Sequence, residues 1–117
     1  MTAAKLKLPP IEKGATFRHR LIWKGANGQP IDLTGCTAKM QVREEVTSDT
    51  VLIELSTENG RITITPEEGQ FDFYVADEDS DSLKLEGGVY DLEVYHPNGD
   101  VTRLCQGPWP FTDGVTR

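Results

Sequence analysis

The chain has only two cysteines and two histidines among its 117 residues, and no apolar stretch approaches the roughly 20 residues that a spanning helix needs. So little cysteine excludes a disulfide-built scaffold. Basic residues are also in short supply, 12 against 19 acidic for a net charge of −7. Nucleic-acid affinity comes largely from clustered Lys and Arg that release counterions from phosphates. The basic residues here are scattered, which argues against nucleic acid as a partner and, for the same reason, against an anionic membrane. The first ten residues carry Lys5 and Lys7 with no apolar region behind them, so no secretory signal is expected. Cys36 and Cys105 are then expected as reduced thiols in the cytoplasm where the protein is made. A Cys36–Cys105 bridge stays open on sequence alone.

The motifs of chemistry are equally sparse. There is no G-x-S-x-G elbow, and only His19 and His96 could act as general bases. Asp77, Asp79 and Asp81 have the first, third and fifth spacing of a calcium loop. That loop needs Gly at its sixth position and Glu at its twelfth, where this chain has Ser82 and Gly88. The two Cys and two His show no C-x-x-C or H-x-x-x-H pairing that would hold zinc. Gly25 to Gly28 and Glu86 to Gly88 read as turns rather than phosphate cradles. The sequence therefore predicts no catalytic residue, no cofactor, no metal site and no small-molecule substrate.

What is present is a rhythm of short alternating strands and turns. Phe17, Leu21 and Trp23 alternate with Arg18, Arg20 and Lys24, with His19 interrupting the apolar face. Ala38, Met40 and Val42 form a second set, and Val51, Ile53 and Leu55 a third. Phe71, Phe73 and Val75, then Tyr90, Leu92 and Val94, continue it. Asn27-Gly28, Glu58-Asn59-Gly60 and Pro97-Asn98-Gly99-Asp100 read as tight hairpin-type turns. Asp77 to Leu85 breaks the period, and its acidic start predicts a capped helical turn or two. The loops are too short for crossover helices. The expected fold is all-β, an antiparallel β-sandwich (Ig-like) of seven to eight short strands with one short helical turn near 77–85. Residues 1–11 read as an extended N-terminal arm stiffened by Pro9-Pro10, and 12–117 as a single sandwich domain. Gly107 to Phe111 is proline-rich, so this stretch, like Lys5 to Ile11, reads as either a sheet edge or a docking arm.

Candidate interface residues are Arg18, Arg20, Tyr74, Tyr95, Trp109 and Arg117. Tyr74 and Tyr95 fall on the strand face opposite their apolar neighbours, where aromatic rings serve contact surfaces. Trp109, like Trp23, reads more naturally as core. Arg18 and Arg20 could meet the acidic Asp77 to Asp81 of another copy, against the plainer reading of a solvated charged face.

Three stretches, read together, resemble a known family. They are Ile31-Asp-Leu-Thr-Gly-Cys-Thr-Ala-Lys-Met-Gln-Val-Arg43, Leu55-Ser-Thr-Glu-Asn-Gly-Arg-Ile-Thr-Ile64, and Gly88-Val-Tyr-Asp-Leu-Glu-Val94 with Gly99-Asp-Val-Thr-Arg-Leu104, closed by Val115-Thr-Arg117. Their order and spacing resemble a β-sandwich domain of tailed-phage virion proteins, over roughly residues 12 to 117. This family includes the N-terminal domain of baseplate upper proteins and the collar protein that tethers L-shaped tail fibres. The resemblance implies a non-enzymatic structural protein of the virion tail region, made in the host cytoplasm. It also implies partners: itself, as a ring-like homo-oligomer, and other virion proteins (tail hub or tube, fibres or receptor-binding proteins). Baseplate relatives continue into helical or fibrous regions, whereas this sequence ends at Arg117, which favours an adaptor or collar role. A carbohydrate- or receptor-binding module, and a capsid decoration or head–tail joining protein, are the alternatives.

Overall fold

The computed structural model describes residues 4–113. The strands are β1 (Ala4–Lys5), β2 (Ile11–Glu12), β3 (Phe17–Ile22), β4 (Thr37–Arg43), β5 (Ile53–Ser56), β6 (Ile62–Thr65), β7 (Gln70–Val75), β8 (Gly87–Tyr95) and β9 (Val101–Thr112). A 3-10 turn covers Pro66–Glu68 and a single helix, α1, covers Asp77–Asp81. The larger sheet runs β1-β9-β8-β4-β5, with β2 beside β1 on the same flank of β9, and the smaller runs β3-β7-β6. The two pack face to face as an all-β sandwich, whose seven strands of four or more residues match the expected number.

The alternation of apolar residues is what folds this way. Ala38, Met40 and Val42 of β4, Leu92 and Val94 of β8 and Ile53 and Leu55 of β5 are buried beneath the larger sheet. Phe17, Ile62, Phe71, Phe73 and Val75 meet them from the smaller one. Successive side chains point to opposite faces, so one face of each strand enters the core and the other carries Arg, Lys, Gln, Asp and Thr. Val51 stays outside β5, only partly buried.

Antiparallel pairing holds for all ladders except two. β1 and β2 run parallel to β9, with Ala4 opposite Cys105 and Ile11 opposite Phe111. The segment from Ala4 to Glu12 reaches β9 without a hairpin, and the chain then crosses to β3 in the other sheet. Of the two roles left open for Lys5 to Ile11, this stretch lies along the sheet edge: Leu8 is 2% exposed and Ile11 0%. Trp109 Nε1 donates to the Pro9 carbonyl (2.8 Å) and Tyr90 Oη to the Leu6 carbonyl (2.6 Å), tying the arm to the core.

The prolines of β9 are accommodated by phase. Phe111 N–H donates to the Glu86 carbonyl, whereas the carbonyls of Gln106 and Pro108 accept from Leu6 and Leu8. Odd-numbered residues here therefore bond β8, and even-numbered ones face the arm. Pro108 and Pro110 lack only N–H groups that the β8 ladder does not use.

Three turn readings are corrected. Gly87 and Gly88 are not turn residues but open β8, opposite Pro110 and Trp109. Glu58-Asn59-Gly60 does not close a hairpin; it carries the chain from β5 in one sheet to β6 in the other. Asn59 Oδ1 accepts from the Ser56 and Arg61 N–H groups, an arrangement that favours the turn without specifying which sheet follows. The helical turn forms with its acidic residues in the first turn as expected, but it is not capped by a side chain, since the cap position is Ala76. Asn27-Gly28, by contrast, turns as expected, with Gly28 at φ +78° between the bridged Lys24 and Pro30.

Candidate functional site

The outer face of the smaller sheet gathers three of the proposed contact residues. Arg18 lies opposite Tyr74 and Arg20 opposite Asp72 across the β3–β7 ladder. The Arg18 guanidinium stands 4.7 Å from the Tyr74 ring centroid, and Arg20 Nε donates to Asp72 Oδ1 at 2.8 Å. Burial pulls the Asp72 carboxyl up. Hydrogen bonds from Arg20 and Gln70, with the Arg20 charge, more than offset this and leave it below the ordinary carboxylate range. Both arginines thus have their nearest partners on the neighbouring strand of their own chain.

The other candidates do not join them. Tyr95 lies on the outer face of the larger sheet, opposite Thr37 and Val101, so the two tyrosines are on opposite sides of the sandwich. Trp109 is corrected outright as a surface candidate. It is 1% exposed, between Phe17 and Tyr90 at ring-centroid distances of 5.2 and 6.0 Å. Its inward direction follows from the same odd-numbered phase of β9 that buries Cys105 and Phe111. Arg117 lies outside the described residues.

The free edge of β3 is a feature that side-chain patterns do not reveal. In an antiparallel ladder, N–H and C=O of one residue point to the same side, and the side alternates. Tyr74 N–H donates to the Arg61 carbonyl on the β6 side, so Phe73 bonds His19 of β3. Trp23 N–H, donating to the Gly69 carbonyl, has the same phase. The backbone groups of Arg18, Arg20 and Ile22 therefore point out of the sheet, and among the described residues none of them has a hydrogen-bond partner. All three residues are exposed, Ile22 at 45%. Buried Ser80 of α1 fixes the approach to this edge, accepting from Gly14 N–H (3.0 Å) and donating to the Ala15 carbonyl (2.9 Å).

His19, in this strand, packs near Phe17 and Phe73, and burial lowers its pKa from the usual 6.5. A base whose folded pKa is depressed adds stability that is present above its unfolded pKa and lost as pH falls. The urea midpoint is expected to drop between pH 7 and pH 5, and His19→Gln to flatten that drop. An unchanged slope in the variant would refute the assignment.

The structure also joins two residues that look isolated in sequence. His96 Nδ1 is 3.6 Å from Cys36 Sγ, and His96 Nε2 is 2.9 Å from Thr102 Oγ1. Burial and the nearby Asp32 push the Cys36 thiol pKa up, which opposes the thiolate a nucleophile requires. The contact clasps the start of β4 to the β8–β9 turn. Cys105 is 3% exposed, also with its pKa raised by burial, and both cysteines are free. Under native conditions a disulfide reagent is expected to titrate Cys36 slowly and Cys105 only at the rate of unfolding. Equal native rates would contradict this packing. Among the described residues, no group of three or more His, Cys, Asp or Glu is placed to hold a metal ion.

Across the larger sheet, Lys5, Gln106, Asp91, Gln41 and Glu54 form one lateral row on five strands. Four of these five residues, all but Glu54, line a concavity of about 520 Å³ that also borders Arg43, Val89 and the 83%-exposed Val46. Gln41 Nε2 donates to Glu54 Oε1 (2.8 Å), and Arg43 Nη2 donates to Gln41 Oε1 (3.0 Å).

The class that this fold defines is the all-β two-sheet sandwich. Set against known proteins, the chain matches no protein-family model and no curated protein.

Proposed function

We propose that this protein is a non-enzymatic assembly component of a phage virion, a tail, baseplate or collar adaptor. In this role it associates with itself and attaches fibres or receptor-binding proteins to the tail. The reading starts from the three quoted stretches, which correspond to β4 with its preceding turn, β5 with β6, and β8 with β9. The observation that carries it is the β3 edge. Hydrogen-bonding capacity left open on a strand is suited to joining another protein, and it lies on a rigid element pinned by Ser80 and by the β7 ladder. The test is to locate the protein in purified particles by cryo-EM or by immunogold labelling. A ring of density at the tail or baseplate, touching fibres, is the expected result. Absence from the particle would remove the reading.

One observation favours a second reading, a carbohydrate- or receptor-binding module. The concavity over Gln41, Asp91 and Gln106 offers planar polar groups of the kind that bind hydroxyls, in a volume within the ordinary range of ligand sites. Saturable glycan binding lost on Gln41→Ala or Gln106→Ala would establish that reading instead.

A further inference from the structure

We infer that the β3 edge accepts an extended acidic–apolar segment of a different protein, as an added strand beside Arg18, Arg20 and Ile22. The inference deepens the assembly reading by naming the partner's chemistry, and it rests on that reading for the partner being a protein strand.

The other edges are less open to such a partner. On β5 the Glu54 carbonyl already accepts from Asn59 Nδ2 and Arg61 Nη1 (both 3.0 Å), and Ser56 N–H donates to Asn59 Oδ1. On β6 the outward-phased Ile62 is 2% exposed and Ile64 is partly buried, so this four-residue edge presents less open backbone than β3. The N-terminal edge turns exposed Lys5 and Lys7 outward and is broken by Pro9-Pro10, devices that block strand addition. Among the described residues, β3 keeps six consecutive residues without a proline, and the charges on its edge, Arg18 and Arg20, repel a basic partner while attracting an acidic one.

The pattern of the missing partner can be read from the strand that β3 already pairs with. Strand β7 sets Asp72 against Arg20 and Tyr74 against Arg18 on the outer face, with Phe71 and Phe73 against Leu21 and His19 on the inner one. A second neighbour meets the same alternation. It needs acidic residues beside two arginines that remain exposed, and apolar residues to cover half-buried His19 and Leu21. A second copy of β3 does not meet it. Two-fold antiparallel pairing centred on His19 sets Arg18 against Arg20 twice, and pairing centred on Arg20 sets that residue against itself. Like charges directly opposite one another destabilise a ladder.

The probe is a capped peptide, Thr-Val-Asp-Ile-Glu-Val-Thr, added to the isotope-labelled full chain and followed by amide exchange. The expected result is slowed exchange at Arg18, Arg20 and Ile22. Binding should be lost when the Asp and Glu nitrogens of the peptide are methylated. It should weaken about tenfold for the protein carrying Arg18→Glu with Arg20→Glu, the sum of two cross-strand charge pairs. Ile22→Pro removes one outward N–H while keeping both charges, and it too should weaken binding if the double variant does not fold. Absence of binding, binding that spares these amides, or equal binding of the peptide with Lys for its acids would overturn the inference. So would protection that appears without peptide as protein concentration rises, since a second copy would then occupy the edge. The peptide reads the edge alone and particle localisation reads the assembly role alone, so failure of one is distinguishable from failure of the other.

Discussion

Trp109→Ala is expected to lower folding stability by about 3–5 kcal/mol, the range for deleting a large buried aromatic side chain. Thermal unfolding followed by circular dichroism should show a fall on the order of 10–20 °C. Three separate contacts converge on this ring. It packs edge-on against Phe17 of the smaller sheet and Tyr90 of the larger, and its Nε1 holds the Pro9 carbonyl of the arm. Removal therefore loosens the seam between the sheets and the start of the chain together. Trp109→Phe separates these roles, because it keeps most of the packing while leaving the Pro9 carbonyl without its donor. That variant should lose about 1–3 kcal/mol. If Trp109→Ala melted within a degree or two of the parent protein, the placement of this side chain in the core would be wrong.

Gly107→Ala should have the next largest effect, for a different reason. A Cβ on Gly107 would overlap the Leu6 carbonyl oxygen, and it would stand 2.9 Å from the carbonyl carbon. Those atoms are backbone, so no side-chain rotation relieves the clash; β1 must move off β9. The cost of such overpacking is about 1–3 kcal/mol. It falls on the arm, because Leu6 also accepts the Tyr90 hydroxyl. Burial already pushes the Tyr90 phenol pKa far up, so its proton stays in place and needs that acceptor. Amide exchange is the informative measurement: Leu6 and Leu8 should lose protection while the β4–β8 ladder keeps it. Uniform loss across all strands would mean that the arm is not a separable layer. Because Trp109 holds the same arm through Pro9, the double variant should fall short of additivity.

Much of the architecture was legible in the sequence because a sandwich writes its inner face at a period of two. Met40, Val42, Phe71, Phe73, Leu92 and Val94 each fall on the apolar face of their strand by spacing alone, and all six are buried. Turn chemistry at Asn27-Gly28 was readable because the left-handed backbone there suits few residues. Partner choice was not readable. Nothing local in Glu58-Asn59-Gly60 says that β6 leaves the sheet of β5, and nothing local in Lys5 to Ile11 says that the arm lies parallel to β9. Contact candidates fared unevenly for the same reason. Arg18, Arg20 and Tyr74 came together because the β3–β7 register sets them opposite one another. Tyr95 shares their outward phase but sits on the other sheet. The Cys36–His96 contact spans 60 positions, beyond the reach of any spacing rule.

Closure of the β5 edge by Asn59 and Arg61 has a consequence for stoichiometry. A subunit with two accessible edges can add copies end on end and grow without limit, as fibrils do. With Glu54 occupied on one flank and β3 the most open edge, the proposed strand addition would use one edge per chain. A complex formed in the proposed way would stop at one guest per chain. Any ring of these subunits must then be held together by side-chain faces, leaving each member free to carry its own passenger.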